Sequence, residues 1–592
     1  MNQKFVSSLL FVALLTLIVA VSGGIRPSVA APTGETCPDD CNVYIPFHAR
    51  PLNTDFTVTD IEIFQASQTD NNTIPLVSGK TAVARIYAQL LVGTSPGGVP
   101  LSLTAVRNGS ILGTVNATGP ATVPTSPQHG NYTSTYNVIL PDGWLSGQVQ
   151  LTAAIDPANI IPESNESNNQ FGRNVTFNNV PDLQVFLVPI DYTHQGPTNP
   201  GFYPGQGVDN ISNWIRRAYP IDNVNVTIRP DYPFSGNLQD NSGSAWETLL
   251  NQIYALKLSD GLAEDTPIVY YGFIPIQNGS TEWFSSGIAG LGWISPPGQN
   301  FREALGLNLG ANDTTGILAG HEIGHNLGRD HAPCGNPDDP DPAYPYAGAS
   351  IGQYGTDIQG NNVGFNTPAS HVDVMSYCSP EWVSDYTYTE LYDNQRVQGL
   401  SQPAQTADRL LIRATFTGNN EVTVAPIYAF PIKSSNELAA SDVLVELLDS
   451  SGAIIAAHPV AVRQAEEAGI AIRSAIGTVP LPDVPVAAMR LVEGGTILAE
   501  RQFEQPSRLA QAALAVTQTA EAVTLNWGLA EVPAIVRYTA DDGASWTTLA
   551  VDALGGSFST SVAEWMGENG RFQIILANTG SPTTLTADWS AQ

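Results

Sequence analysis

The chain has 592 residues, with 24 Lys plus Arg against 55 Asp plus Glu, a net charge of −31. Phosphate recognition needs clustered cations, so this balance excludes general nucleic-acid binding and disfavours docking on anionic lipid. Charged residues make up only 13% and hydrophobic residues 42%, so the chain can build packed cores, and 53 Gly with 43 Pro suit many short strands and turns.

In chain order, Lys4 precedes an apolar run from Phe5 to Val21, and Ser28-Val29-Ala30 offers small residues for cleavage. Residues 1–30 therefore read as a secretory signal peptide, which implies a secreted protein whose cysteines can oxidise. No other segment is long and apolar enough to span a membrane, so no stable membrane span is expected after cleavage. Residues 31–55 read as a linker. From 56 to 178 the pattern has period two, as in Phe56–Ile63, Thr81–Tyr87 and Gln148–Ala153. Turn residues separate these runs, which predicts a small antiparallel sandwich.

Between residues 181 and 402 the character changes. Leu183–Pro189 and Pro267–Phe273 read as buried strands, with helices predicted near Ile211–Ala218 and Ala245–Leu258. In the second helix Trp246, Leu249, Leu250, Ile253 and Leu256 fall on one face. This alternation predicts an α+β domain. Gly/Pro turns and strands return downstream, predicting two more sandwiches at 407–505 and 509–592, the last fibronectin-like at fold level. The Ala/Glu-rich stretch Gln464–Arg473 reads as a short helix.

The closing stretch of the first module, from Asp156-Pro157 to Glu163-Ser164-Asn165-Glu166-Ser167-Asn168-Asn169, resembles the CARDB modules, an Ig-like family of exported proteins. The resemblance implies a spacer or adhesion module.

Residues 316–331 read Gly-Ile-Leu-Ala-Gly-His-Glu-Ile-Gly-His-Asn-Leu-Gly-Arg-Asp-His. His321 and His325 are four apart, so on a helix they share a face and can hold one zinc. Glu322 is placed to act as general base. Gly328 can end the helix in a left-handed turn and bring His331 round as third ligand. Three histidines leave an open position, the catalytic arrangement. The Thr314-Thr315 pair is expected to cap the helix start.

The full pattern resembles the metzincin zinc metallopeptidases, matching at His321, Glu322, His325, Gly328 and His331. The resemblance implies an α+β zincin/metzincin-like catalytic domain flanked by all-β Ig-like sandwich modules, and a methionine turn beneath the zinc. Asp373-Val374-Met375-Ser376-Tyr377 looks like that turn, with Met375 as its methionine. Tyr377 then matches the position of a tyrosine that stabilises the oxyanion in some members. If His331 and the Met turn meet beneath the zinc, Cys334 and Cys378 come close enough to bridge; Cys37 and Cys41 are expected to pair locally.

Weaker signals remain. Asn336–Asp341 is an acidic loop that can be read as a calcium site or as a solvated loop. Gly287–Ile294 can be read as an edge strand that pairs with an extended substrate, or as a plain buried strand. His371 is read as a substrate contact or a surface histidine. The expected function is a secreted zinc endopeptidase acting on protein or peptide substrates, with surface or glycan targeting through the β-modules. The alternative is a surface-binding or adhesion protein with an inactive zinc domain; hydrolysis of non-peptide amides is a third reading. Residues beyond Ala407 show no catalytic constellation and are expected to be dispensable for bond cleavage.

Overall fold

The structure, a computed structural model, describes residues 54–590 apart from 195–204, 277–286, 311–312, 398–403, 418–420, 436–440, 468, 505–508, 510–511 and 520. The expected signal peptide, nearly all of the linker, and Cys37 and Cys41 lie outside the described residues. Among the described residues no helix is long and apolar enough to cross a membrane.

The first module is a sandwich of two sheets. One holds Asp55–Phe64, Val83–Val92 and Tyr136–Ile139; the other holds Leu76–Val77, Gln170–Asn178, Gly147–Ile155, Leu101–Arg107 and Ser110–Asn116. Alternation places Phe56 and Val58 inside, and the register slips between Val58 and Asp60. That extra residue returns Ile61 and Ile63 to the core side. The loop after the Gly147–Ile155 strand closes the module through Glu163. Its buried carboxylate accepts from Phe56 N at 2.5 Å and from Asn169 Nδ2 at 2.8 Å.

The expectation of an α+β zincin/metzincin-like domain flanked by all-β modules is corrected. Among the described residues 35 strands accompany only four α-helices, and β-sandwich sheets dominate. The helices are α1 (Gly205–Ala218), α2 (Ser244–Ser259), α3 (Asp313–Asn326) and α4 (Asp385–Val397). The segment containing them adds a sheet ordered Val224–Ile228, Leu183–Tyr192, Val269–Pro275, Glu303–Asn308 and Gly290–Gly292. Its strands run parallel except Gly290–Gly292, which pairs antiparallel at the edge.

The physical reason for the correction is that this segment does not close its own core. On one face of the sheet α1 and α3 pack through Trp214, Ile215, Ala319 and Ile323, and Ala66 and Ile74 of the first module join them. On the other face α2 packs through Trp246, Leu250 and Ile253. That core continues without a break into Leu411, Tyr428, Phe430, Ile476, Ile535 and Ile575 of the downstream sheets. Residues Leu52–Gln592 accordingly form one compact unit. Further apolar clusters fill the two downstream pairs of sheets.

The short helix expected at Gln464–Arg473 is also corrected. This stretch is a β-hairpin, Val462–Glu467 against Ile470–Pro480, with Glu467 opposite Ile470. Gly469 has φ +77°, a turn conformation open to glycine, and β-branched Ile470 and Ile472 favour the strand.

Candidate metal centre

Helix α3 carries His321 and His325 one turn apart. The backbone then bonds from Gly328 N to His325 O at 2.9 Å and from Arg329 N to Gly324 O at 3.0 Å. Gly328 makes this stop possible: its φ is +83°, and a β-carbon there would stand 3.0 Å from Ser295 O. The chain turns back and delivers His331, whose Nε2 lies 3.2 Å from that of His325; His321 Nε2 is also 3.2 Å from it. At the helix start Thr315 Oγ1 accepts from Leu309 N and donates to Gly310 O, so it ties down the incoming loop.

The outward nitrogens fix the ring roles. His321 Nδ1 donates to Val374 O at 2.8 Å, and His325 Nδ1 donates to Arg329 O at 2.7 Å. A carbonyl can only accept, so each Nδ1 carries the hydrogen and each Nε2 presents a lone pair. The Nδ1 of His331 faces Glu466 Oε2 at 3.6 Å. Burial, reinforced by the neighbouring rings, holds His321 down to about 4 and His325 well below the usual histidine range; burial also lowers His331. The three rings bring their Nε2 atoms together, an arrangement that suits a shared cation. Two ligands about 2.05 Å from a tetrahedral zinc stand about 3.3 Å apart, which the 3.2 Å spacings match. These residues fit zinc.

Beneath the rings lies Met375, buried at 1% exposure. A β-carbon on Gly324 would sit 2.4 Å from its Sδ, so the thioether packs on the helix backbone between His321 and His325. Val374 O and Met375 O receive His321 Nδ1 and Ala332 N, locking this turn to the ligand loop. The Asp373 carboxylate accepts from Met375 N at 2.8 Å and Ser384 N at 2.9 Å. Cys334 and Cys378 form a disulfide beside it, with Cα atoms 5.7 Å apart. Tyr377 Oη stands 3.0 Å from His331 Nε2.

Glu322 is buried, and neither carboxylate oxygen has a hydrogen-bond partner among the described residues. Burial, then the charge of Glu467, raises it well above the usual carboxylate range. The edge strand makes room for it. A β-carbon on Gly290 would lie 2.3 Å from Glu322 Oε1, and one on Gly292 would lie 2.5 Å from Glu322 O. The close approach that these glycines allow is thus to Glu322.

Glu466 and Glu467 went unread in the sequence. Both come from the 462–480 hairpin. Glu467 Oε2 lies 3.8 Å from His331 Nε2, 4.0 Å from His321 Nε2 and 3.3 Å from Tyr377 Oη. The Glu466 carboxylate accepts from Asp338 N at 2.7 Å and Asp339 N at 3.3 Å. The signal was two adjacent carboxylates in a chain poor in charge. Two carboxylates from the stretch beyond Ala407, where no catalytic constellation was expected, thus stand beside the histidines.

Among the described residues, two groups of potential ligands converge within 4.8 Å: His321, His325 and His331, and His321, Glu322 and Glu467. The Asn336–Asp341 run is not among them; its Asp341 accepts from Tyr386 and Ala343 instead. His371 bonds to Ser370 Oγ at 3.0 Å.

Comparison with known proteins places one part of the chain. The family described as CARDB matches residues 110–173, which include the Glu163 closure of the first sandwich. This stretch is a CARDB domain. Similar solved structures include the CARDB domain of a Pyrococcus furiosus protein in complex with di-metal ions. It is 17% identical, covering 21% of this chain and 94% of that one, at TM-score 0.14. A domain of a putative cell surface protein from Methanosarcina acetivorans is 18% identical, over 21% and 93%, at TM-score 0.15. A beta-glycosidase from Bacteroides vulgatus is 8% identical, over 91% and 79%, at TM-score 0.12. At these scores the structural likenesses carry no argument. No curated protein sequence matches the chain. The CARDB match ends before His321, so the metal centre is read from its own geometry.

Proposed function

We propose that the chain is a secreted zinc-dependent endopeptidase of metzincin type, hydrolysing peptide bonds of protein substrates. The observation that carries this reading is the convergence of three histidine Nε2 atoms beside Glu322, a buried carboxylate with no hydrogen-bond partner among the described residues. Bound by His321, His325 and His331, zinc supplies a Lewis acid that polarises a carbonyl and acidifies water. Glu322, buried on the same helix turn as His321 and His325, is placed to take the proton of the attacking water and return it to the leaving amine. The Tyr377 hydroxyl donates to the carbonyl oxygen as it gains charge. Val374 O and Arg329 O keep the first two rings oriented, and Glu466 faces the third. The leader-like sequence supports export, and the CARDB domain with the downstream sandwiches suits surface or glycan targeting.

A second reading, a surface-binding protein with a silent metal centre, draws support from Glu467 standing close to two of the ligating nitrogens. A casein zymogram of the full chain and its Glu467→Ala variant, each with and without chelator, tests the two. Chelator-sensitive clearing by either protein supports the peptidase. No clearing by either, with one zinc bound per chain, supports the silent centre.

A further inference from the structure

We infer that the 462–480 hairpin is an intramolecular plug, with Glu467 taking the metal position that a substrate carbonyl needs. The inference rests on the proposed zinc centre. A carboxylate that only oriented a ring would face its Nδ1, as Glu466 does with His331. Glu467 instead faces the Nε2 side of His321 and His331, where the ion belongs, and it accepts from Tyr377 Oη, the proposed oxyanion donor. Its side chain is 11% exposed, so solvent has little access past it.

The hairpin also takes the neighbouring strand edge. Just beyond the Gly290–Gly292 edge strand, Ile294 N donates to Gln464 O at 2.9 Å. An extended peptide approaching the centre along this edge meets a strand already in place. The plug is held from below. The Arg463 guanidinium lies 4.2 Å from the centres of both the Tyr254 and Phe301 rings, and Ser474 bonds to Glu247 of α2. These anchors sit in the strands, whereas Glu467 sits next to the turn. Replacing its carboxylate therefore opens the metal position without removing the anchors.

The test uses the full chain loaded with cobalt(II), in wild type, Glu467→Gln and Glu467→Ala. Acetohydroxamate is the probe and the visible cobalt spectrum the readout, with metal content measured alongside. The expected result is at least tenfold tighter acetohydroxamate binding in both variants, accompanied by at least tenfold faster peptide cleavage. Equal affinity in all three proteins would overturn the plug. So would loss of metal from the variants alone, which would make Glu467 a required ligand. Glu467→Gln keeps the side-chain shape and guards against misfolding of the alanine variant. Absence of metal from wild type as well would show instead that the zinc reading itself fails, and the plug with it.

Discussion

Arg463 and Glu303, 160 residues apart in sequence, form a buried ion pair at 2.5 Å, and Lys257 Nζ reaches the other oxygen of the same carboxylate. Glu303 belongs to the strand next to the Gly290–Gly292 edge, and Arg463 to the strand that carries Glu466 and Glu467. One carboxylate therefore joins the downstream hairpin to the sheet that supports α3. Burial lowers Lys257, opposed by the charge of Glu303, so the pair depends on remaining intact.

Arg463→Met should cost about 3–5 kcal/mol of stability, the usual penalty for removing one partner of a buried pair. Urea unfolding of the full chain measures it. A loss below about 1 kcal/mol would mean that Lys257 alone satisfies Glu303.

Replacing His321, His325 and His331 together by Ala should abolish zinc binding. Metal analysis after exhaustive dialysis checks this. Stoichiometric zinc in the triple variant would place the metal elsewhere.

Glu322→Gln should keep zinc and lower turnover by about a thousandfold or more. Tyr377→Phe should lower kcat by about ten- to a thousandfold with KM little changed. Steady-state kinetics on one peptide separates the roles. Wild-type turnover in Glu322→Gln would refute the proton-transfer role, and a silent Tyr377→Phe would leave the phenol as packing.

Reducing the Cys334–Cys378 bridge, which closes a separation of 44 residues, should lower stability by about 4 kcal/mol on the loop-entropy scale. Thermal melts of wild type and of the double Ser variant test this. Superimposable melts would show that the bridge adds nothing to stability.

Lys80 gives a pH signature far from the metal. Its Nζ donates to Arg216 O and Arg217 O at the end of α1, and burial, then the charge of Arg216, lowers it to about 7. The unfolded lysine holds its proton to about 10.4. Between these values the unfolded chain binds more protons, so this group adds stability as pH rises from about 7 to about 10. Relative to Lys80→Met, wild type should gain at least about 1 kcal/mol between pH 7 and pH 9.5 in urea titrations. A constant gap would mean that Lys80 keeps its ordinary affinity for protons.

The legible parts of the chain are those whose causes are local. The four-residue spacing of His321 and His325 is one helical turn, and Gly328 marks the stop in any context. The alternation in Gln148–Ala153 marks a sandwich strand because every second side chain enters the core while the others face outward. Glu466 and Glu467 escaped because Ala-Glu-Glu-Ala matches helical propensity, while the pairing of Glu467 with Ile470 and the contact of Arg463 with Glu303 depend on partners elsewhere. The α+β assignment overreached for the same reason. The periodicity of α2 shows an apolar face, but not that Phe430 and Ile535 complete the core it enters.

A core that takes residues from Val188 to Ala577 sets the order of events during synthesis. Val188 leaves the ribosome nearly four hundred residues before Ala577, and α2 has no complete partner in that interval. Contacts so distant in sequence make folding slow and leave apolar surface exposed meanwhile. The histidine cluster lies within one short stretch and can assemble early, but Glu467 reaches it only after a further 136 residues have been made, counted from His331. A nascent chain halted between those two points would carry the three histidines without the carboxylate that later faces them.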